Sequence, residues 1–387
     1  MKKNICIFTA TRAEYGLLYR LMSAIQSSAD MHLQVLVSGA HLSPEFGETW
    51  RAIEQDGFQI DAKVEMLLSS DTPVGVLKSM GLGIVGYAEA LERLRPDVLV
   101  VLGDRYEALA VAQAALILKI PLAHLHGGEI TAGAYDDAIR HAISKMANLH
   151  FTAADSYRRR LIQMGEDPGS VFNVGALGLD HLLHERPMMM DALSESLRFD
   201  VKPPYFLVTY HPVTLGNEQP ESSCRAMLMA LDRFPEHKVI LTYPNADNGG
   251  RRIIPLIDDY ARSRPDRVLA LPSLGFKRYL SALAHADAVV GNSSSGIIEA
   301  PSLGVPTVNI GVRQQGRLAA KSVVNCGTAA QEIEQATRKV ISPDFPHKGP
   351  GVVNPYGQGN AAEQVVSILR SKTFSSMKYF HDLEFQA

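Results

Sequence analysis

Between Val100 and Ile143 the chain reads VVLGDRYEALAVAQAALILKIPLAHLHGGEITAGAYDDAIRHAI, and acids, bases and glycines crowd the ends of its apolar runs. Asp104 and Arg105 follow the first run. His124, His126 and Glu129 surround a Gly-Gly pair, and Asp136, Asp137, Arg140 and His141 come next. Carboxylates and imidazoles at this density suit proton transfer, in which one positioned group removes a proton and another returns one. Mere retention of an anion would be opposed by so many carboxylates. His124 and His126 lie two apart on a predicted strand and could face one way, which raises a metal site with Asp104, Glu129 and His141. No ligand set there has metal-motif spacing, and histidines running into a Gly-Gly turn are more often hydrogen-bonded core groups.

A second set of residues suits an anion. "TRAEYG" follows the first apolar run and opens a helix, so its backbone N–H groups and Arg12 can receive negative charge, unless Thr11 simply caps the helix. In "GNSSSGIIEAPSLG" a strand runs into Ser293, Ser294 and Gly296 before a predicted helix, converging hydroxyls and amides as a diphosphate requires. Glu299, one turn further, can accept hydrogen bonds from ribose hydroxyls. Arg313 and Arg317 follow the next strand, where a cationic clamp would sit. Neither G-x-G-x-x-G after the first strand nor a G-x-x-x-x-G-K-[ST] motif is present, so NAD and P-loop chemistry lack support.

These groups need elements to hold them, and the chain supplies alternating strand and helix patterns. "NICIFTA", "LQVLVSG", "IDAKVEML", "DVLVVLG", "PLAHLHGG" and "LHFTAA" read as strands, separated by helical stretches such as "EALAVAQAALILK" and "YDDAIRHAISKMA". The series restarts at "YFLVTYHP", "HKVILTYPN", "RVLALPS", "ADAVVGNSS" and "VPTVNIG". Runs apolar on both faces and separated by helices predict parallel sheets covered on each side. The expected architecture is α/β with two Rossmann-like domains, residues 1–180 and 181–365, and a helix and tail over 366–387 packing back on the first. Ligands then collect at the carboxyl ends of the strands.

Bulk properties exclude other classes. A chain of 387 residues with 46% hydrophobic and 20% charged residues is ordinary for a globular protein, and a net charge of -3 offers nucleic acid no basic surface. Cys6, Cys224 and Cys326 are scattered and read as reduced thiols. Arg12 and Glu14 interrupt the N-terminal apolar stretch too early for a signal peptide, and no run is expected to span a bilayer. A cytoplasmic location is expected.

Taken in order, "TATRAEYG", "GDRYEALA", "HLHGGE", "YDDAIRHAISKMA", "YHPVT", "YPNAD" and "GNSSSGIIEAPSLGVPTVNIG" resemble the hydrolysing UDP-N-acetylglucosamine 2-epimerases of sialic-acid and related nonulosonate biosynthesis. The resemblance covers roughly residues 1–317. It implies a glycosyltransferase-B-like fold with the active site in the interdomain cleft. The implied reaction converts UDP-N-acetylglucosamine and water to UDP and N-acetylmannosamine through a 2-acetamidoglucal, without NAD or an obligatory metal. By the same resemblance Asp104 and Asp136 are catalytic carboxylates. Several relatives have glutamate where this chain has His126, so base work falls to that imidazole or to Glu129. The change also fits a branch acting on UDP-N,N'-diacetylbacillosamine. Arg12 and Arg105 are expected near the phosphates or sugar, and His211 near the diphosphate. Asn245 and Asp247 are expected along the substrate channel, Ser293 and Ser294 on phosphate, Glu299 on ribose and Arg313 on the nucleotide. A homo-oligomer, dimer or tetramer, is implied. The rival classes are a glycosyltransferase on the same fold and a module that holds a UDP-sugar without turnover.

Overall fold

The computed structural model describes residues 2–70, 72–131, 135–212, 219–244 and 250–384. Apolar runs of the first half form strands β1 (Lys3–Thr9), β2 (Met31–Ser38), β3 (Ala62–Val64), β4 (Val98–Leu102), β5 (Leu122–Leu125), β6 (Leu149–Thr152) and β7 (Val171–Asn173). Between them run helices α1 (Arg12–Gln26), α2 (Trp50–Gln55), α3 (Pro73–Leu94), α4 (Tyr106–Ile117), α5 (Asp136–Met146) and α6 (Asp155–Gln163). After α7 (Asp180–His184) and α8 (Met190–Leu197) come strands β8 (Tyr205–Thr209), β9 (Lys238–Thr242), β10 (Val268–Leu271), β11 (Ala288–Gly291), β12 (Thr307–Ile310) and β13 (Val323–Cys326). Their helices are α9 (Pro220–Leu231), α10 (Gly250–Arg262), α11 (Phe276–Ala284), α12 (Ser295–Ile298), α13 (Ala330–Ile341) and α14 (Ala361–Ser371).

The chain divides into two compact units. The first holds Met1–Glu129, Tyr135–His181 and Gly359–Ala387; the second holds Ile130–Ala134 and Leu182–Gln358. The return to the first unit thus begins at Gly359, where 366 was expected, and takes all of α14 with it. Asp180 is the reason: its buried carboxylate accepts the N–H groups of Ala361 at 2.8 Å and Ala362 at 2.6 Å, satisfying the start of that helix. Val365 and Leu369 then pack in the same core as Leu18 and Met22 of α1.

Each sheet is parallel. The first has the order β3-β2-β1-β4-β5-β6-β7 and the second β10-β9-β8-β11-β12-β13. The pleat sends alternate residues to opposite faces, so Ile5 and Ile7 of β1 enter one core and Cys6 and Phe8 the other. Strand order reverses between β1 and β4 in the first sheet and between β8 and β11 in the second. Loops diverge at these two switch points and leave room for ligands at the carboxyl ends of the strands.

One composition-based expectation needs correction. Helix α3 is long and apolar enough, at a mean hydropathy of 1.3, to pass as a membrane span by length and composition. Its inner face nevertheless carries Gly75, Ser79, Gly83, Tyr87, Ala90 and Leu91. Tyr87 packs edge-on against Phe8 of β1, which makes α3 a covering helix of the first sheet.

Candidate active site

The first unit gathers its ionisable groups after β1, β4 and β5. Asp104 lies just beyond β4. It does not cap α4, whose N-cap is Arg105 without a side-chain bond. Its carboxylate pairs instead with the Arg140 guanidinium from α5. Arg140 is buried and its planar fork serves three groups: Nη2 meets Asp104, and Nη1 donates to the His126 carbonyl at 2.8 Å and lies 3.8 Å from Glu129 Oε2. The Asp104 side chain stays 20% exposed while that of Glu129 is 2% exposed. Of the two carboxylates, Asp104 is therefore the one open to a ligand.

His124 and His126 do not share a face. Strand β5 ends at Leu125, and His126 turns into the left-handed region at φ 63, a conformation rare for a residue with a side chain. His124 is fully buried, and burial pushes its imidazole down to about 3. The ring is neutral. Because the Gly103 carbonyl can only accept, His124 Nε2 carries the proton and donates it at 2.7 Å, leaving Nδ1 to accept from the Ser144 hydroxyl at 3.0 Å. Both nitrogens are thus occupied within the fold. The same reasoning fixes His126: the Leu177 N–H points at Nε2 over 3.4 Å, so Nδ1 holds the proton and faces Glu129 Oε1 at 2.8 Å. Among the described residues no cluster of His, Cys, Asp or Glu is arranged to hold a metal ion.

Asp136 opens α5, with Asp137 in the same first turn, four residues ahead of Arg140. Arg12 is exposed at the start of α1, beyond the end of β1. Arg105 pairs with the buried Glu107 at 3.2 Å. Beside them sits Glu14, which sequence reasoning missed. It forms a capping box with Thr11 and accepts the Ala10 N–H at 2.8 Å. Burial lifts its carboxyl to about 7, against the pull of Arg105 and of backbone N–H groups.

In the second unit the switch point is tied by Asn292, also unforeseen in this role. Its side chain accepts the His211 N–H at 2.7 Å and donates to the His211 carbonyl at 2.8 Å. The Asn292 carbonyl accepts from Arg313 Nη1 at 3.1 Å and Gln314 Nε2 at 2.8 Å. One residue thus joins the ends of β8 and β11 to the loop after β12. Burial, with Arg313 adding to it, holds the His211 imidazole well below its usual range, so it too is neutral. Ser293 and Ser294 are partly exposed at the mouth of this group. The helix after them, α12, is a single turn, which weakens the dipole expected there and leaves hydroxyls, amides and Arg313 as the donors. Gly296 faces inward: a methyl there would lie 2.7 Å from Thr307 Cγ2, so its job is close packing on β12. Tyr279 of α11 brings its hydroxyl to Ser295, Thr209 and Ser293, and burial raises it to about 12. Asn245 and Asp247 fall outside the described residues.

Comparison with known proteins agrees with both halves of this site. A family described as UDP-N-acetylglucosamine 2-epimerase matches residues 23–370. A GDP/UDP-N,N'-diacetylbacillosamine 2-epimerase (hydrolyzing) of Campylobacter jejuni is 40% identical over 89% of both chains. A polysialic acid biosynthesis protein of Escherichia coli is 35% identical over 98% of this chain and 97% of its own. The crystal structure of UDP-GlcNAc 2-epimerase from Neisseria meningitidis bound to UDP-GlcNAc superposes with a TM-score of 0.79. It is 18% identical and covers 96% of this chain and all of that one, which carries the glycosyltransferase-B-like fold to this chain. On the extent of the family match and of these two relatives, the chain belongs to the UDP-N-acetylglucosamine 2-epimerase family.

Proposed function

We propose that the protein is a hydrolysing 2-epimerase of a UDP-linked 2-acetamido sugar. The observation that carries this reading is the Asp104–Arg140–Glu129–His126 cluster, a set of acid/base groups on a family fold that handles UDP-sugars. A C2 proton beside no carbonyl is weakly acidic, so its removal has to accompany loss of UDP. In the first step a carboxylate takes the C2 proton while the C1–O bond breaks and its electron pair leaves with UDP, giving a 2-acetamidoglucal. In the second, water adds to C1, a proton is delivered to C2 from the opposite face, and the manno-configured sugar is released. Two faces need two acid/base groups. Asp104, the exposed carboxylate, is assigned to one. Glu129, whose proton partner is His126, or Asp136 at the start of α5, is assigned to the other.

The second unit is assigned to the nucleotide. Ser293, Ser294 and Arg313 hold the diphosphate with His211 beside them, Glu299 accepts from the ribose, and Arg12 and Arg105 meet charge from the first unit. Asn245 and Asp247 are retained as substrate-channel residues. UDP-N-acetylglucosamine is the first substrate, consistent with the polysialic acid relative. UDP-N,N'-diacetylbacillosamine is the second, favoured by the name of the 40% identical relative. Either product would feed nonulosonate synthesis in the cytoplasm, with the enzyme working as a homo-oligomer.

Turnover of both UDP-sugars, and of their GDP counterparts, in deuterated water tests the reading. Solvent deuterium is expected at C2 of a manno-configured product. Unlabelled product of gluco configuration would sink it, and UDP release that requires an acceptor alcohol would establish a glycosyltransferase.

A further inference from the structure

Beyond α14 the chain from Lys372 to Glu384 has neither helix nor strand, yet its side chains are anchored along the first unit. Lys372 Nζ donates to the Gly169 carbonyl at 3.1 Å, and the His381 N–H donates to the Gly165 carbonyl at 2.9 Å. Phe380 lies on Gly165, a position at φ +85 where any side chain would strike the ring. The Lys145 ammonium sits 4.9 Å from the centre of that ring.

Lys378 holds the densest set of contacts. Its ammonium donates to the carbonyls of Ser144 at 3.1 Å, Lys145 at 2.8 Å and Ala147 at 2.6 Å, the open carbonyls at the C-terminal end of α5. It also meets Glu166 Oε2 at 2.6 Å. Glu166 is buried and in addition receives Lys145 at 2.8 Å and His150 Nε2 at 2.9 Å. A cation at this end of a helix is favoured by the peptide dipoles. What makes this one unusual is the cargo of the helix. Arg140 on α5 holds Asp104 and the His126 carbonyl. Ser144, whose carbonyl takes Lys378, gives its hydroxyl to His124, which in turn grips the Gly103 carbonyl beside Asp104.

We infer that Lys378 is a positioning residue for the reaction: clamped between α5 and Glu166, it fixes Arg140 and Ser144 against the Asp104 loop, making the C-terminal strap part of the active site's frame. It touches none of the reacting groups. The inference rests on the proposed epimerase chemistry only for its kinetic readout.

The test uses the full-length protein with Lys378→Met and Lys378→Arg. Displacement of a catalytic carboxylate by about 1 Å costs on the order of a hundredfold in rate, so Lys378→Met should lower kcat by about tenfold to a hundredfold. KM and UDP affinity should hold. Lys378→Arg, which can still reach the carbonyls and Glu166, should recover most of the rate. Fluorescence of Trp50, the sole tryptophan and a residue of the first unit, measures the folded fraction in each variant. The His124 Nε2–H signal in 15N NMR should shift in Lys378→Met and return in Lys378→Arg. Wild-type kcat in Lys378→Met, or a loss no larger than the loss of folded protein, would overturn the inference. If the wild-type enzyme places no deuterium at C2 while the His124 signal still moves as stated, the epimerase reading fails and the clamp stands.

Discussion

Arg140→Met removes the one cation that holds Asp104 and Glu129 together while keeping most of the side-chain volume. Arg140 is 2% exposed, so no water replaces the guanidinium directly. Three acceptors lose their donor at once: the Asp104 carboxylate, the Glu129 carboxylate and the His126 carbonyl. Removing one partner of a buried pair costs about 3–5 kcal/mol, because the remaining charge stays uncompensated. At about 2–4 °C per kcal/mol for a unit of this size, the first unit should melt roughly 6–20 °C lower. Arg140→Lys should fall between. Its compact ammonium reaches one or two of the three acceptors but cannot reproduce the planar fork. The measurement is thermal unfolding followed by Trp50 fluorescence, with UDP titration calorimetry reporting the second unit separately. UDP binding should persist in both variants, and turnover should be lost in Arg140→Met. A variant Arg140→Met that melts with the wild type would refute the reasoning, since the two carboxylates would then be compensated from elsewhere.

The two units should separate further by substitution. Asp104→Asn keeps the shape but removes a proton acceptor, and should lower kcat by about a hundredfold or more with little change in UDP affinity. Ser294→Ala should do the reverse, weakening UDP by about 0.5–1.5 kcal/mol, the usual net worth of a hydrogen bond, at near-normal kcat under saturation. Calorimetry beside steady-state kinetics reads both; normal turnover with poor UDP binding in Asp104→Asn would make Asp104 a structural residue. Glu14 sets a pH dependence of stability. Its folded pKa, about 7, lies above the ordinary carboxyl value, so its contribution is fully present below about pH 4.5 and is lost as pH rises through 7. Glu14→Gln, which still caps α1, should flatten that part of the melting-temperature profile; an unchanged slope would assign it to other groups.

Much of the fold is written in apolar runs bounded by glycine and polar residues. "DVLVVLG" and "YFLVTYHP" are buried on both faces, so their strands and parallel pairing follow from pattern alone. Strand β13 escapes the same reading because it lies at the sheet edge, half exposed, with too few apolar residues to stand out. Helix α12 was expected to be longer because "SGIIEAPSLG" looks helical, but the proline at 301 and the left-handed glycine at 304 turn it into a short tight coil. His124 and His126 show the deeper limit. Spacing of two predicts a shared face only while the strand continues, and here it stops between them.

Site residues divide along the same line. Asp104, Ser293 and Arg313 are visible as polar groups just past strand ends. Arg140 and Asn292 organise them, yet each looks ordinary in sequence: an arginine on an amphipathic helix, an asparagine before serines. Their importance comes from burial, which turns a surface-type side chain into a fixed donor or acceptor with several obligatory partners. Arg140 also resolves an apparent conflict in the chemistry. Acids crowded on one unit would repel an anionic substrate, but Arg140 neutralises charge behind Asp104 while the diphosphate is met by neutral hydroxyls and Arg313 of the other unit. Carboxylates can therefore stay ionised for proton transfer without excluding the phosphate they must help to release.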